Sequence, residues 1–380
     1  MTFYIRVCPS VVCHYLCAVL KKLSADPLGS TMLPALDEFI LGHREGATSA
    51  ESSLARGDVI EIQGPAASGK TQLLYHLASC CLLPKEVLVV STDGHAECVV
   101  HLGGWCRSVI VLDCDGRWDT TRLHTILMAR LDVLFSKAQL PPLPHKSNST
   151  VSSIALESLS RLHLFRPTSS FQLAATLLNL PKYHASQMSN EEIRLLLVDS
   201  ISSFYWADRW QAEQVDSKRL HKSNPLVHVL RCLEAFRSSH GPIVVLTNWG
   251  LNPLSSTSSV STSPFFKQHL AAPFPAPFET PPRLSSGHSN HLPVKFHITL
   301  PFAFVSQLES DLIGSDSGLG HERGRLEQAL SDKRRKETVG RGEIGGYVRT
   351  PHTGRGHDGR SIIGKFRFRV LERNILSTPE

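Results

Sequence analysis

GDVIEIQGPAASGKTQLLYHL, residues 57–77, decides the fold. Val59, Ile60 and Ile62 read as a short buried strand that runs into Gly64. From Lys70 to about Leu82 the spacing predicts a helix, stopped by Pro84. Between them lies GPAASGKT, residues 64–71, which fits G-x-x-x-x-G-K-[ST] in the strand–loop–helix context that gives such a match meaning. Glycines at 64 and 69, with small Ala66, Ala67 and Ser68 between them, let the backbone curl so that its N–H groups face phosphate oxygens. The helix adds the positive end of its dipole. The nucleotide-contacting run is therefore Gly64, Pro65, Ala66, Ala67, Ser68, Gly69, Lys70, Thr71 and Gln72, with Lys70 reaching the β- and γ-phosphates of ATP and Thr71 ligating Mg²⁺. A plain glycine-rich turn with an exposed lysine is the bland alternative.

A phosphate loop needs a second carboxylate near its metal. RLLLVDS, residues 194–200, is a fully apolar strand ending in Asp199, which places that carboxylate at the C-terminal edge of a parallel sheet. Asp199 is the expected second magnesium ligand; a turn aspartate after a core strand is its rival reading. Hydrolysis also needs a group that orients the attacking water. Asp113 and Asp115 in VIVLDCDG, residues 109–116, end a strand, and Asp93 sits in a near-copy twenty residues earlier. Only the later copy leads into an amphipathic helix, so Asp115 is the expected catalytic residue, weighed against a turn aspartate before Gly116.

Working outward, helical spacing marks 33–44, 119–136, 171–180 and 225–239, and apolar strands fall at 161–165 and 241–248. This alternation predicts an α/β fold with a mostly parallel central sheet flanked by helices, interrupted by disordered insertions. Residues 139–153 are Pro/Ser-rich and read as a loop, and 251–293 are dominated by Ser, Thr and Pro, so disorder is expected there. A strand pattern returns at 294–305. A polar Gly/Arg-rich stretch, 314–361, then precedes KFRFRV, 365–370, where apolar and arginine residues alternate. The expected division is an extension at 1–31, a core at 32–250 with an atypical insertion at 85–108, the 251–293 segment, and C-terminal strands of the core over 294–373 around a basic loop. Val7 to Leu20 is signal-like, but Pro9, His14, Lys21 and Lys22 argue against that reading.

Composition narrows the class. The 380 residues carry 40 Lys+Arg against 34 Asp+Glu, a net charge of +6, and 41% hydrophobic residues, enough for a core. No apolar run of about 18 residues suggests a membrane span. Nine cysteines without a compact framework argue for reduced thiols in cytosol or nucleus. Between His321 and Arg373 stand 14 Lys/Arg and 7 Asp/Glu, so the positive excess lies at the C-terminal end and would attract an anionic partner. KRRK, 333–336, could be a nuclear address, a phosphate-contacting patch or a solvated charged face, and Arg341, Arg349, Arg355 and Arg360 could track a DNA backbone. His95, Cys98, His101 and Cys106 match no common zinc spacing and read as an irregular loop. Phe204, Tyr205 and Trp206 cannot share one face, so some are core and some are open to base stacking or a partner.

Three blocks together carry a family resemblance. GDVIEIQGPAASGKTQLLYHL resembles the phosphate-loop region of RecA-type recombinases, VIVLDCDGRWDTTRLHTIL (109–127) the segment with their water-activating acid, and LLLVDSISSFYWADRW (195–210) the metal-site strand and loop of eukaryotic recombinase paralogues. The resemblance implies a RecA-like ATPase core in nuclear homologous-recombination repair of DNA double-strand breaks. It also implies a hetero-oligomer with other recombinase paralogues that assists the main recombinase on single-stranded or branched DNA, without a membrane. RecA-type enzymes usually carry Glu where Asp115 falls, and a polar sensor, commonly Gln, where Trp249 falls. Both departures imply weak DNA-dependent ATP turnover with nucleotide binding intact. A non-catalytic scaffold with a vestigial loop and an unrelated nucleotide kinase are the alternatives; the kinase would need an arginine-rich lid, which 72–250 lacks.

Overall fold

The computed structural model describes residues 27–44, 52–90, 97–138, 147–215, 224–254, 264–276, 292–301, 342–350 and 363–377. The chain builds β1 (Pro27–Gly29), α1 (Pro34–Gly42), β2 (Leu54–Ala55), β3 (Val59–Gly64), α2 (Lys70–Leu82), β4 (Glu86–Val90), β5 (Glu97–His101) and β6 (Ser108–Asp113). Next come α3 (Thr120–Lys137), α4 (Ser147–Ser160), β7 (Leu162–Phe165), α5 (Ser170–Gln187), β8 (Ile193–Asp199), α6 (Tyr205–Val215), α7 (Pro225–His240) and β9 (Ile243–Trp249). The strands β10 (Phe296–Thr299), β11 (Glu343–Arg349), β12 (Ile363–Val370) and β13 (Ile375–Ser377) complete the described residues.

Among the described residues nine strands form one sheet in the order β13-β12-β11-β10-β3-β9-β8-β6-β7. From β10 to β7 every neighbouring pair is parallel, and the β10-β11-β12-β13 end is antiparallel. The parallel strands are apolar on both faces because helices cover both. Val109, Val111, Leu195, Leu197, Ile243 and Val245 pack on the side of α1, α2, α3 and α4. Ile110, Leu112, Leu196, Val198, Val244 and Leu246 pack against α5 and α7 on the other side. This is the period-2 alternation of a strand, with both phases buried.

Local sequence sets the helix boundaries. Asp119 caps α3 by accepting from the Thr121 N–H at 2.8 Å, and Asn224 caps α7 through the Leu226 N–H at 3.0 Å with Pro225 in its first turn.

Several expectations change. Residues 27–31, read as the end of an extension, belong to the folded body: β1 pairs with β2, and the buried Thr31 hydroxyl donates to Asp37 Oδ1 at 2.8 Å. The 86–101 part of the atypical stretch is an antiparallel hairpin, β4 with β5, not an irregular loop; 91–96, with Asp93 and His95, lie outside the described residues. Among the described residues no three His, Cys, Asp or Glu could hold a metal together. Residues 147–153 are helical rather than loop, because Val151, Ile154 and Ala155 reach the core. Within 251–293, Leu270 and Phe274 are buried against the α5–α7 side, so part of that segment is packed, not disordered. Within 314–361, residues 343–349 form a strand inside the sheet, and Arg349 is only 7% exposed, its guanidinium 4.1 Å from the Phe265 ring centroid. Buried there, Arg349 cannot track a DNA backbone. KRRK, Arg341, Arg355 and Arg360 lie outside the described residues. Among the described residues no helix is long and apolar enough to cross a membrane.

Candidate functional site

The carboxyl ends of β3, β6, β8 and β9 meet at one edge of the sheet, where open α/β folds hold their ligands. β3 delivers Gly64 and the 64–71 loop, and α2 begins at Lys70. Gly69 adopts φ +95°, and a Cβ there would come within 2.4 Å of Ile344 Cδ1, so only glycine serves this turn. Lys70 Nζ donates to the carbonyl oxygens of Gly64 at 2.8 Å and Pro65 at 2.7 Å.

Thr71 Oγ1 donates to Asp199 Oδ2 at 2.8 Å, across 128 positions of sequence. The other carboxylate oxygen, Oδ1, accepts from Thr247 Oγ1 at 2.5 Å. Lys70 and Thr71 from one stretch and Asp199 from another, far along the chain, thus stand together. Asp199 is 2% exposed; burial pushes its carboxyl above the usual aspartate range, the Thr247 and Thr71 hydroxyls pull it back, and Asp115 and Asp113 push it further up. Burial pulls the Lys70 ammonium down to about 8, against the carboxylates of Asp199 and Asp115, which favour its charge.

The acids of the 109–116 segment separate into two roles. Asp113, paired in register with Asp199 on β8, is buried and accepts from the Arg117 and Trp118 N–H groups at 3.0 and 3.1 Å and from Arg166 Nε at 3.2 Å. It closes the turn after β6, with its side chain fully buried. Asp115 is exposed at the same sheet edge, its N–H donating to the Asp199 carbonyl at 3.0 Å, beside the Cys114 N–H at 2.7 Å. Its Oδ1 accepts from Ser203 Oγ.

Trp249, expected at the sensor place, ends β9 opposite Gly64; its N–H donates to Ser202 Oγ at 3.1 Å and its ring lies parallel to His269. Thr247 and Ser203 were not singled out from sequence. A threonine closing an apolar strand could have been noticed; one serine in Ser200–Ser203 carries no such signal.

Among the described residues, Ser68 Oγ and Gln72 Oε1 are buried without a hydrogen-bond partner, and both belong to the 64–72 run. Buried polar atoms left unpaired are costly; a phosphate oxygen would accept from the Ser68 hydroxyl, whereas the Gln72 amide oxygen, an acceptor, suits only a water or a metal ion. The residues present fit a magnesium-bound phosphate group.

A strand–loop–helix at the edge of a largely parallel sheet, with an acid from a second strand beside it, is the layout of a RecA-like α/β core. Within that class the chain is similar to proteins named for DNA repair. It is 36% identical to DNA repair protein XRCC2 of Mus musculus over 159 residues, which is 42% of this chain and 45% of that protein. It is 26% identical to the DNA repair protein XRCC2 homolog of Arabidopsis thaliana over 213 residues, 51% of this chain and 55% of that protein. The chain therefore spans about half the length of the curated relatives it matches. No family model matches it.

Proposed function

We propose that this chain is an ATP-binding recombinase paralogue that acts in homologous-recombination repair of DNA double-strand breaks in the nucleus, within a complex of other paralogues. The observation that carries the reading is the Thr71–Asp199 hydrogen bond beside Lys70, in a chain similar to proteins named for DNA repair. Lys70 holds the β- and γ-phosphates, Thr71 and Asp199 hold the metal, and Asp115 orients water. The magnesium ion, when bound, neutralises charge on the phosphate oxygens. With Asp115 one methylene shorter than the usual Glu and Trp249 in the expected sensor place, the nucleotide acts mainly as a switch that shapes the interface with partner paralogues.

The test is affinity purification of the full chain from cells, with its companions identified by mass spectrometry. Recovery of recombinase paralogues, lost from a Lys70→Ala chain, supports the reading. Recovery of metabolic enzymes instead overturns it. Paralogue recovery unaffected by Lys70→Ala, with repair intact, would leave a scaffold with a vestigial loop.

Contact with single-stranded DNA is assigned to α6. Trp206 and Trp210 are 55% and 64% exposed and lie one helical turn apart. The Arg209 guanidinium stands 5.9 Å from the Trp206 ring centroid. Phe204 and Tyr205, by contrast, pack against the core, so the aromatic triplet is divided between the two environments. Exposed rings beside a guanidinium, itself ion-paired with Glu213 at 2.9 Å, suit stacked bases. Replacing Trp206 and Trp210 with Ala should weaken single-stranded oligonucleotide binding by about tenfold, read by fluorescence anisotropy at fixed salt. Unchanged affinity would remove DNA from this face.

A further inference from the structure

Asp115 sits on an exposed turn, where a carboxylate ordinarily samples several rotamers. Two contacts hold it. Its N–H is fastened to the Asp199 carbonyl at 3.0 Å, and its Oδ1 accepts the Ser203 hydroxyl. The first fixes the backbone, leaving the side chain to the second.

The Ser203 hydroxyl is itself oriented. Its oxygen accepts the Ser200 N–H at 3.2 Å and lies 3.0 Å from Ser200 Oγ. The Ser200 carbonyl is also within reach, at 2.8 Å. A hydroxyl has one proton to give, and a charged acceptor takes it in preference to a neutral carbonyl. With the Ser200 N–H on one lone pair, the Ser203 proton points at Asp115.

The loop that carries Ser203 is fixed to the sheet. The Ile201 N–H donates to the Thr247 carbonyl at 3.0 Å, and Ser202 Oγ accepts the Trp249 N–H at 3.1 Å. Ser200 and Ser202 are fully buried. Thus the hydroxyl that grips Asp115 stands on a platform tied to β9, beside the strand that bears Asp199.

We propose that Ser203 is the positioning residue for Asp115, holding its carboxylate toward the space between Lys70 and the Thr71–Asp199 pair. This rests on the nucleotide reading above and deepens it: Ser203 touches no phosphate and no metal, and acts only through the acid that orients water. A group that acts this way affects the chemical step and not ground-state binding.

The test uses the full chain, with MgADP binding, single-turnover MgATP hydrolysis, and binding of MgADP with aluminium fluoride, a mimic of the transferring phosphoryl group. Ser203→Ala should lower the single-turnover rate and the affinity for the fluoride complex by about tenfold each, with MgADP affinity unchanged. Ser203→Thr, which keeps the hydroxyl, should restore both. In an Asp115→Asn background, Ser203→Ala should add nothing further. An unchanged or faster rate in Ser203→Ala overturns the proposal, as does a matching loss of MgADP affinity, which would make Ser203 merely part of the loop's structure. If the unmodified chain binds MgADP but holds the fluoride complex no more tightly, the positioning role falls and the nucleotide site stands. If it binds no MgADP, the underlying reading falls as well.

Discussion

Lys70→Ala is expected to weaken MgATP binding by about a hundredfold, the loss of charge-assisted contacts to two phosphates. The ammonium stands over the 64–71 loop, fixed by the carbonyls of Gly64 and Pro65 and attracted by the carboxylates of Asp199 and Asp115. Removing it leaves the Gly64 carbonyl still accepting the Gly250 N–H at 2.8 Å and the Pro65 carbonyl on a half-buried residue, so the unfolding midpoint without nucleotide should barely move. Isothermal titration and thermal unfolding with and without MgATP separate the two effects. The same lysine sets a pH dependence. Burial lowers its ammonium to about 8, so in the free protein it is mostly charged at pH 7 and mostly neutral at pH 9. MgATP affinity should therefore fall as pH rises through this window, and the Lys70→Ala chain should lack that fall. Equal MgATP affinity for both chains at pH 7 would show that the loop holds no triphosphate.

Asp199→Asn should separate function from stability. The carboxylate is buried, and burial raises its proton affinity above the ordinary aspartate value of 3.8. The folded state then holds more protons than the unfolded state in the window above 3.8, so stability falls as pH climbs through that window and stays lower at neutral pH. An amide carries no such dependence. It fits the same place, because one threonine hydroxyl can donate to its oxygen and the other can accept from its nitrogen, in place of the two donations from Thr71 and Thr247. In EDTA at pH 7 the variant should unfold at the same temperature as the parent or higher. It should also lose the stabilisation that magnesium adds to nucleotide binding, with MgATP affinity down by about a hundredfold. Magnesium-dependent tightening that survives in the variant would dismiss Asp199 as a metal ligand.

The parts of the molecule legible in its sequence are those where one local signal suffices. The strands that became β3, β6, β8 and β9 are continuous apolar runs, and continuous runs follow from helices on both faces of a parallel sheet. The 64–71 loop was legible because its spacing is dictated by a phosphate's shape. β11 was not. EIGGYVR reads as a glycine-rich loop, yet a Cβ on Gly346 would lie 2.5 Å from the Phe366 ring, so that glycine makes room for a neighbouring strand. α6 was hidden by its own surface, since a short helix that exposes two tryptophans has no apolar stripe to betray it. Residues 27–31 were missed because their place depends on Asp37 and on the distant His76, which binds the Thr31 carbonyl at 2.7 Å. Ser203 is the same kind of case, meaningful only through Asp115, 88 positions away.

One carbonyl oxygen has a wider consequence. The backbone of Asp199 receives the N–H groups of both Cys114 and Asp115, so the proposed metal-holding acid and the proposed water-orienting acid are bracketed to a single main-chain point. Neither can slide relative to the other without breaking that clasp. A displacement at either strand end is therefore passed to the other, and the two acids travel as one piece.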